Sequence, residues 1–116
     1  MLDILVKPTE VSEEWVVVEG LTYMGVSVHR GFVTDGASIP RWLKPIFRTG
    51  GKLFTPAVLH DLLYRTINKF SREEADKFFL EAMLFNKVPK KKAYWIYSGV
   101  RTFGWRAWNN NNRETI

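Results

Sequence analysis

The spacing of apolar residues in the first third of the chain predicts strands. A short apolar run covers residues 4–6, and residues 14–19 are rich in valine and aromatic side chains. Gly20 follows that run and precedes another apolar segment, so we expect a hairpin there. Residues 26–29 alternate strictly between apolar and polar side chains. We therefore predict a small antiparallel sheet over residues 2–34.

A loop-rich segment separates these strands from the helical half. Residues 35–55 hold several glycines and prolines, and only residues 41–47 leave room for a short helix. The first long helix is predicted to begin near Pro56, with Thr55 as its N-cap, and to run to about Ile67.

The next two helices have clear boundary signals. Ser71 and Glu74 fit a capping box, which places the second helix between Ser71 and about Asn86. The third helix starts near Lys90 and continues to Trp108, with a bend at Gly99 or Gly104. The pattern predicts one α+β domain over residues 1–116, divided into a β part at about 2–34, a loop at 35–55, a helical part at 56–108 and a polar tail at 109–116.

Composition narrows the kinds of chemistry open to the chain. With no cysteine among 116 residues, a disulfide framework, a thiol nucleophile and a thiolate metal site are excluded. We expect no transmembrane segment, since no stretch approaches the roughly 20 apolar residues that a span needs. The net charge of +5 is compatible with an acidic partner such as nucleic acid or anionic lipid.

One polar stripe interrupts an otherwise apolar first helix. At about 100° per residue, the leucines and valine of residues 58–63 cover most of its circumference, so the helix should be enclosed by the domain. The exceptions are His60, Asp61 and Tyr64. Polar groups inside a core must be hydrogen-bonded, so each needs a partner.

An aspartate on the second helix is the predicted partner. Asp76 falls inside or at the edge of the arc predicted to be buried, which comprises Ala75, Phe78, Phe79, Ala82, Met83 and Phe85. A carboxylate that accepts from one imidazole nitrogen of His60 would leave the other nitrogen available as a base. Two interpretations stay open: a catalytic site of His60, Asp76 and Tyr64, or a structural network joining two helices.

The loop before the helices offers a second candidate site. Asp35-Gly36 suits a tight turn and Ser38 suits a cap. The functional interpretation is that Asp35 and loop carbonyls approach Asp61 and bind a hard cation such as calcium. The remaining candidate binding residues are Ser38, Arg41 and Arg72.

Basic and aromatic residues are interleaved along the third helix. Such a pattern is found where proteins bind nucleic acid or a membrane interface. The spacing of Trp95, Val100, Phe103 and Trp105 favours the other interpretation, which is packing against the core.

Three motifs in order resemble a known family of unknown function, DUF1353. They are residues 31–40 (GFVTDGASIP), residues 57–64 (AVLHDLLY) and residues 71–83 around Ala75-Asp76, within a resemblance that covers roughly residues 20–108. That family occurs in phages and prophages. The resemblance implies a phage protein that is made in the host cytoplasm and that could enter the virion.

The His-Asp-x-x-Tyr helix is also similar to that of phospholipases of the A-two class. This second resemblance implies His60 as the base that activates a water, Asp61 as a calcium ligand, Asp76 as the residue that orients His60, and Tyr64 as its support. Residues 34–40 hold only one glycine, unlike the calcium loop of those enzymes.

Three hypotheses follow. The first is a hydrolase acting on a lipid or other cell-envelope substrate, for which His60 should face an open pocket. The second is a noncatalytic virion or tail component, or an accessory phage protein, whose partner is a phage structural protein or a host envelope component; its polar residues should be closed over and mutually satisfied. The third, which we rank lower, is a nucleic-acid or host-factor binder. No cofactor is expected other than calcium, and the oligomeric state is left open.

Overall fold

A computed structural model describes residues 2–10, 15–34, 51–66, 70–106 and 108–109. These residues form strands β1 (Leu5–Pro8), β2 (Trp15–Glu19), β3 (Leu21–Tyr23), β4 (Val26–Val28) and β5 (Val33–Thr34), and helices α1 (Phe54–Arg65), α2 (Arg72–Phe85) and α3 (Lys90–Phe103). The predicted α+β class, with antiparallel strands followed by three helices, is confirmed. The short helix expected at 41–47, the candidate residues Asp35, Ser38 and Arg41, and the end of the polar tail lie outside the described residues.

The strands form two small sheets rather than one. The first has the order β1-β2-β5 and the second pairs β3 with β4, all antiparallel. The hairpin expected at Gly20 is wrong, because the chain turns instead at Met24 and Gly25. Both residues have positive φ angles (49° and 79°), which is the geometry of the tight two-residue turns that join paired strands. Gly20 links the two sheets.

Helix α1 begins earlier than its sequence signals indicate. A 3-10 turn, Gly51–Leu53, leads directly into the helix at Phe54, so Thr55 is not the N-cap. The buried hydroxyl of Thr55 instead accepts a hydrogen bond from the backbone N–H of Ile4, at 3.2 Å. Ile4, which directly precedes β1, is itself in the core, so this bond ties the chain before the first strand to the start of α1.

Helix α2 begins with the predicted capping box. The Ser71 hydroxyl accepts from the backbone N–H of Glu74 at 3.0 Å, and the Glu74 carboxylate accepts from the backbone N–H of Ser71 at 2.9 Å. Asp76 is buried as expected. Phe85 is 54% exposed, so the predicted arc is wrong at its C-terminal end, and Leu80, which that arc leaves out, is buried. The Phe85 ring instead contacts the Tyr23 ring of β3, at a centroid separation of 5.2 Å.

Helix α3 buries only a narrow stripe of Ala93, Ile96 and Val100. The expected packing of its large aromatic residues is wrong, because Trp95 and Phe103 are each 60% exposed. The helix is interrupted at Gly104, one of the two glycines predicted to bend it.

One core connects the strands to the helices. It joins Val17, Val26 and Val28 of the sheets to the buried residues of α1, α2 and α3. Within the part of the chain described here, no helix has both the length and the apolar character that crossing a bilayer would require.

Replacing Ser71 by alanine should lower the free energy of unfolding by about 1 kcal/mol, because the N–H of Glu74 loses its acceptor. The measurement is denaturant unfolding of the two proteins. Ser98→Ala is the matched control, since Ser98 is exposed in the middle of α3, where alanine is the better helix former. Equal stability losses in the two variants would contradict the capping role.

Candidate functional site

The candidate site lies where the three helices meet, around the carboxylate of Asp76. His60 and Tyr64 are four residues apart on α1, so both side chains leave the helix on one face. His60 Nε2 lies 2.7 Å from Asp76 Oδ1, and the Tyr64 hydroxyl donates to the same oxygen at 2.5 Å. All three side chains are fully buried. The predicted contact between Asp76 and His60 is therefore present.

Two arginines hold the other carboxylate oxygen. Arg101 of α3 donates to Asp76 Oδ2 at 2.8 Å, and Arg72 lies 3.5 Å from that oxygen. Arg72 also donates to the backbone carbonyl of Arg101 at 3.2 Å, at the C-terminal end of α3. Cations are favourable at that end of a helix. Arg101 was not among the residues predicted for the site. The one feature of the sequence that points to it is its position directly after Val100, at the edge of the buried stripe of α3.

These partners decide the protonation of the carboxyl and the phenol. Burial by itself would raise the pKa of Asp76, but hydrogen bonds from His60, Tyr64 and Arg101 outweigh it and leave the pKa below that of an ordinary aspartate. Burial, and then the Asp76 charge, raise the pKa of Tyr64 far above its usual value. Asp76 is therefore an anion and Tyr64 a neutral donor.

This assignment fixes the tautomer of His60. An ionised carboxylate can only accept, so Nε2 must carry the proton that lies between His60 and Asp76. Among the described residues, none is hydrogen-bonded to the second ring nitrogen, Nδ1. The ring lies between Tyr64 and Phe79, with centroid separations of 4.2 and 4.7 Å. The imidazole is held in one orientation with one unpaired buried nitrogen.

Gly104, at the end of α3, lies close to the Tyr64 hydroxyl. A Cβ on Gly104 would lie 2.7 Å from the Tyr64 hydroxyl oxygen and 2.6 Å from the carbonyl of Val100, both inside normal contact distance. The absence of a side chain at Gly104 thus allows the chain to approach the phenol. Trp108, beyond it, packs edge-on against the Tyr64 ring at 5.3 Å.

Asp61 is directed toward the strands and away from the His60 pair. Its Oδ2 accepts from the Thr34 hydroxyl at 2.7 Å and lies 3.2 Å from the Arg65 guanidinium. Arg65 in turn donates to the carbonyl of Val33 at 2.9 Å. These contacts fasten α1 to β5.

The described surroundings of Asp61 do not fit calcium. A guanidinium beside the carboxylate repels a divalent cation, and calcium takes six to eight oxygen ligands, several of them commonly carboxylates. The described residues contain no group of three or more side chains of the kinds that hold metals. Asp35, the second expected ligand, lies outside the described residues, so calcium binding stays a prediction. Of the candidate binding residues, Arg72 reaches Asp76 and not Nδ1 of His60.

Acid should destabilise the wild-type protein more steeply than the Asp76→Asn variant. Because the folded pKa of Asp76 is lowered, its stabilising contribution is fully present above the unfolded pKa of about 3.9. It is lost as the pH falls through the folded value. At neutral pH the variant should be less stable by about 3–5 kcal/mol, since two arginines lose their counter-ion.

The measurement is urea unfolding of both proteins from about pH 7 down to about pH 3, a range that brackets the aspartate pKa. The stability difference should begin to narrow below about pH 4, where the carboxyl of the unfolded wild-type chain takes up a proton while the folded carboxyl, whose pKa is lower, stays ionised. A difference that stays constant across the series would contradict an ionised Asp76.

Comparison with known proteins identifies the family of this chain. No curated protein and no solved structure matches the chain. A family model described as "Protein of unknown function (DUF1353)" matches residues 9–100, a span that includes His60, Asp61, Tyr64 and Asp76. The chain belongs to the DUF1353 family.

Proposed function

We propose that this chain is a hydrolase of a lipid or another cell-envelope ester, with Nδ1 of His60 as the general base. The observation that carries the proposal is the unpaired Nδ1 on an imidazole whose Nε2–H is bonded to Asp76. A buried donor or acceptor left without a partner costs about 1–3 kcal/mol, so a network that served stability alone would gain by pairing it.

In the proposed reaction, Nδ1 takes a proton from a water as the water oxygen attacks the ester carbonyl carbon. The carbon–oxygen bond to the alcohol then breaks, and the imidazolium returns the proton from Nδ1 to the departing oxygen. The products are a carboxylic acid and an alcohol, and His60 ends in its starting state.

Asp76, Tyr64 and Arg101 act as positioning residues. The carboxylate holds the ring in the Nε2–H tautomer and stabilises the imidazolium formed when Nδ1 takes up the proton. Tyr64 and Arg101 keep that carboxylate ionised by donating one hydrogen bond to each of its oxygens. A mobile or protonated Asp76 would permit the other tautomer, in which Nδ1 carries a hydrogen and cannot act as a base.

The substrate class and the phage setting come from the resemblances. The His60, Asp61, Tyr64 and Asp76 pattern is similar to the helices of phospholipases of the A-two class, which favours an ester of a lipid. Family resemblance to phage and prophage proteins makes the host envelope the accessible source of such esters. The proposed reaction does not use calcium at Asp61, because the Asp61 carboxylate already pairs with Arg65 and accepts a hydrogen bond from Thr34.

One observation favours a second candidate function. His60 has no exposed surface, so a substrate can reach Nδ1 only after neighbouring side chains move. A closed site is what a structural network in a noncatalytic virion component or accessory phage protein would have. The two candidates differ in one property: only a hydrolase depends on Nδ1 itself.

Replacing His60 by glutamine should slow hydrolysis strongly with little loss of stability. The glutamine amide can still donate to Asp76, but nothing replaces Nδ1 as a base. Fatty-acid release should fall by about 10²–10⁴-fold, the usual contribution of a general base. The measurements are release from a panel of phospholipids and short-chain esters, with calcium and with a chelator, and thermal unfolding.

His29→Gln is the matched control, because His29 is exposed on the strand side and should tolerate the change in both assays. A wild-type protein that releases nothing across the panel, or a His60→Gln protein as active as wild type, would reject the hydrolase. Either result would leave the noncatalytic function in its place.

A further inference from the structure

Helix α3 exposes large aromatic side chains on the side that faces away from the core. Tyr94 is 45% exposed, Trp95 and Phe103 are each 60% exposed, and Trp105, just past the interruption, is 49% exposed. Exposed apolar residues scattered singly are normal, but a concentration on one helix marks an interaction surface. We name the outward side of residues 90–106 the α3 face.

The α3 face is basic as well as aromatic. Lys90, Lys91, Lys92 and Arg106 are all exposed. The segment from Lys90 to Trp108 contains no aspartate or glutamate. The charge on this face is therefore of one sign, and the partner that complements it is anionic.

The geometry of the face favours a broad, flat partner. At about 100° per residue, Tyr94 and Phe103 point about 180° apart, with Trp95 and Lys91 between them. A single nucleic-acid strand follows a narrow groove and stacks on rings placed along it. A helix lying in a membrane interface is contacted over about half its circumference, with aromatic rings at headgroup depth and lysines against the phosphates.

We propose that the α3 face binds the surface of an anionic lipid bilayer. Ala93, Ile96 and Val100 stay in the core, so α3 lies flat on the surface as part of the folded domain. This inference deepens the proposed function by naming how the chain reaches lipid, although binding itself requires no catalysis.

The charge requirement is tested by co-sedimentation with vesicles of phosphatidylcholine, with and without phosphatidylglycerol. The wild-type protein should partition onto the anionic vesicles, and added salt should release it. Lys91→Gln/Lys92→Gln should weaken partitioning roughly thirtyfold, from the usual contribution of each surface lysine. The control is Lys7→Gln/Lys52→Gln, which removes the same charge from exposed positions outside α3. This control should change the partitioning far less.

A second pair of double variants tests whether the aromatic residues of the α3 face are needed for partitioning. Phe103→Ser/Trp105→Ser should weaken partitioning by roughly tenfold or more, because two apolar side chains no longer leave water. Leu5→Ser/Met24→Ser changes residues that are 55% and 67% exposed in the strand part, and should have little effect. Equal losses in the face and control variants, or no partitioning by the wild type, would overturn the proposal.

Two further readouts distinguish lipid binding from nucleic-acid binding and from catalysis. A labelled single-stranded oligonucleotide that binds the protein more tightly than the anionic vesicles do, through the same lysines, would overturn the lipid assignment. Partitioning is also measured on His60→Gln. His60→Gln should partition as the wild type does. For the wild-type protein, vesicle binding without hydrolysis would reject the hydrolase and keep the α3 face, whereas ester hydrolysis without vesicle binding would reject the α3 face alone.

Discussion

The burial of one carboxylate organises the helical half of this protein. Asp76 lies between three helices with no exposed surface, and an ionised group in that position is tolerated only when it is fully paired. Helix α1 supplies His60 and Tyr64, and α3 supplies Arg101. Arg72 joins the carboxylate to the C-terminal end of α3. The relative placement of the helices is therefore coupled to the ionisation of a single side chain.

That constraint also determines the chemistry the site can offer. Because Asp76 must accept, the His60 ring presents Nε2–H to it and leaves Nδ1 as the one unpaired buried side-chain polar atom found among the described residues. The ring packs at tilted angles against Tyr64 and Phe79, whose centroids lie 4.2 and 4.7 Å away. The neighbouring Asp61 takes no part, since about 100° of helical rotation directs it to Thr34 and Arg65 instead.

The sequence allowed the helices, the capping box at Ser71 and the contact between His60 and Asp76 to be predicted, because each depends on spacing within one or two helices. Features that depend on tertiary geometry were missed. Arg101 enters the site from a third helix whose orientation no local pattern defines. The turn at Met24 lacks the usual asparagine or aspartate, and the exposure of Trp95 and Phe103 runs against the ordinary burial of aromatic residues. The hydrogen-bond partner of Asp61 could not be predicted either, because Thr34 lies on β5, far from Asp61 in the sequence.

The central claim is that Asp76 fixes His60 with a proton on Nε2 and a free lone pair on Nδ1. The most direct measurement is the nitrogen-15 chemical shift of both ring nitrogens in the neutral imidazole of the folded protein, with Asp76→Asn for assignment. We expect a protonated-type shift at Nε2 and an unprotonated-type shift at Nδ1. A proton found on Nδ1 in the wild-type protein would contradict it, because that nitrogen could then accept nothing from a water.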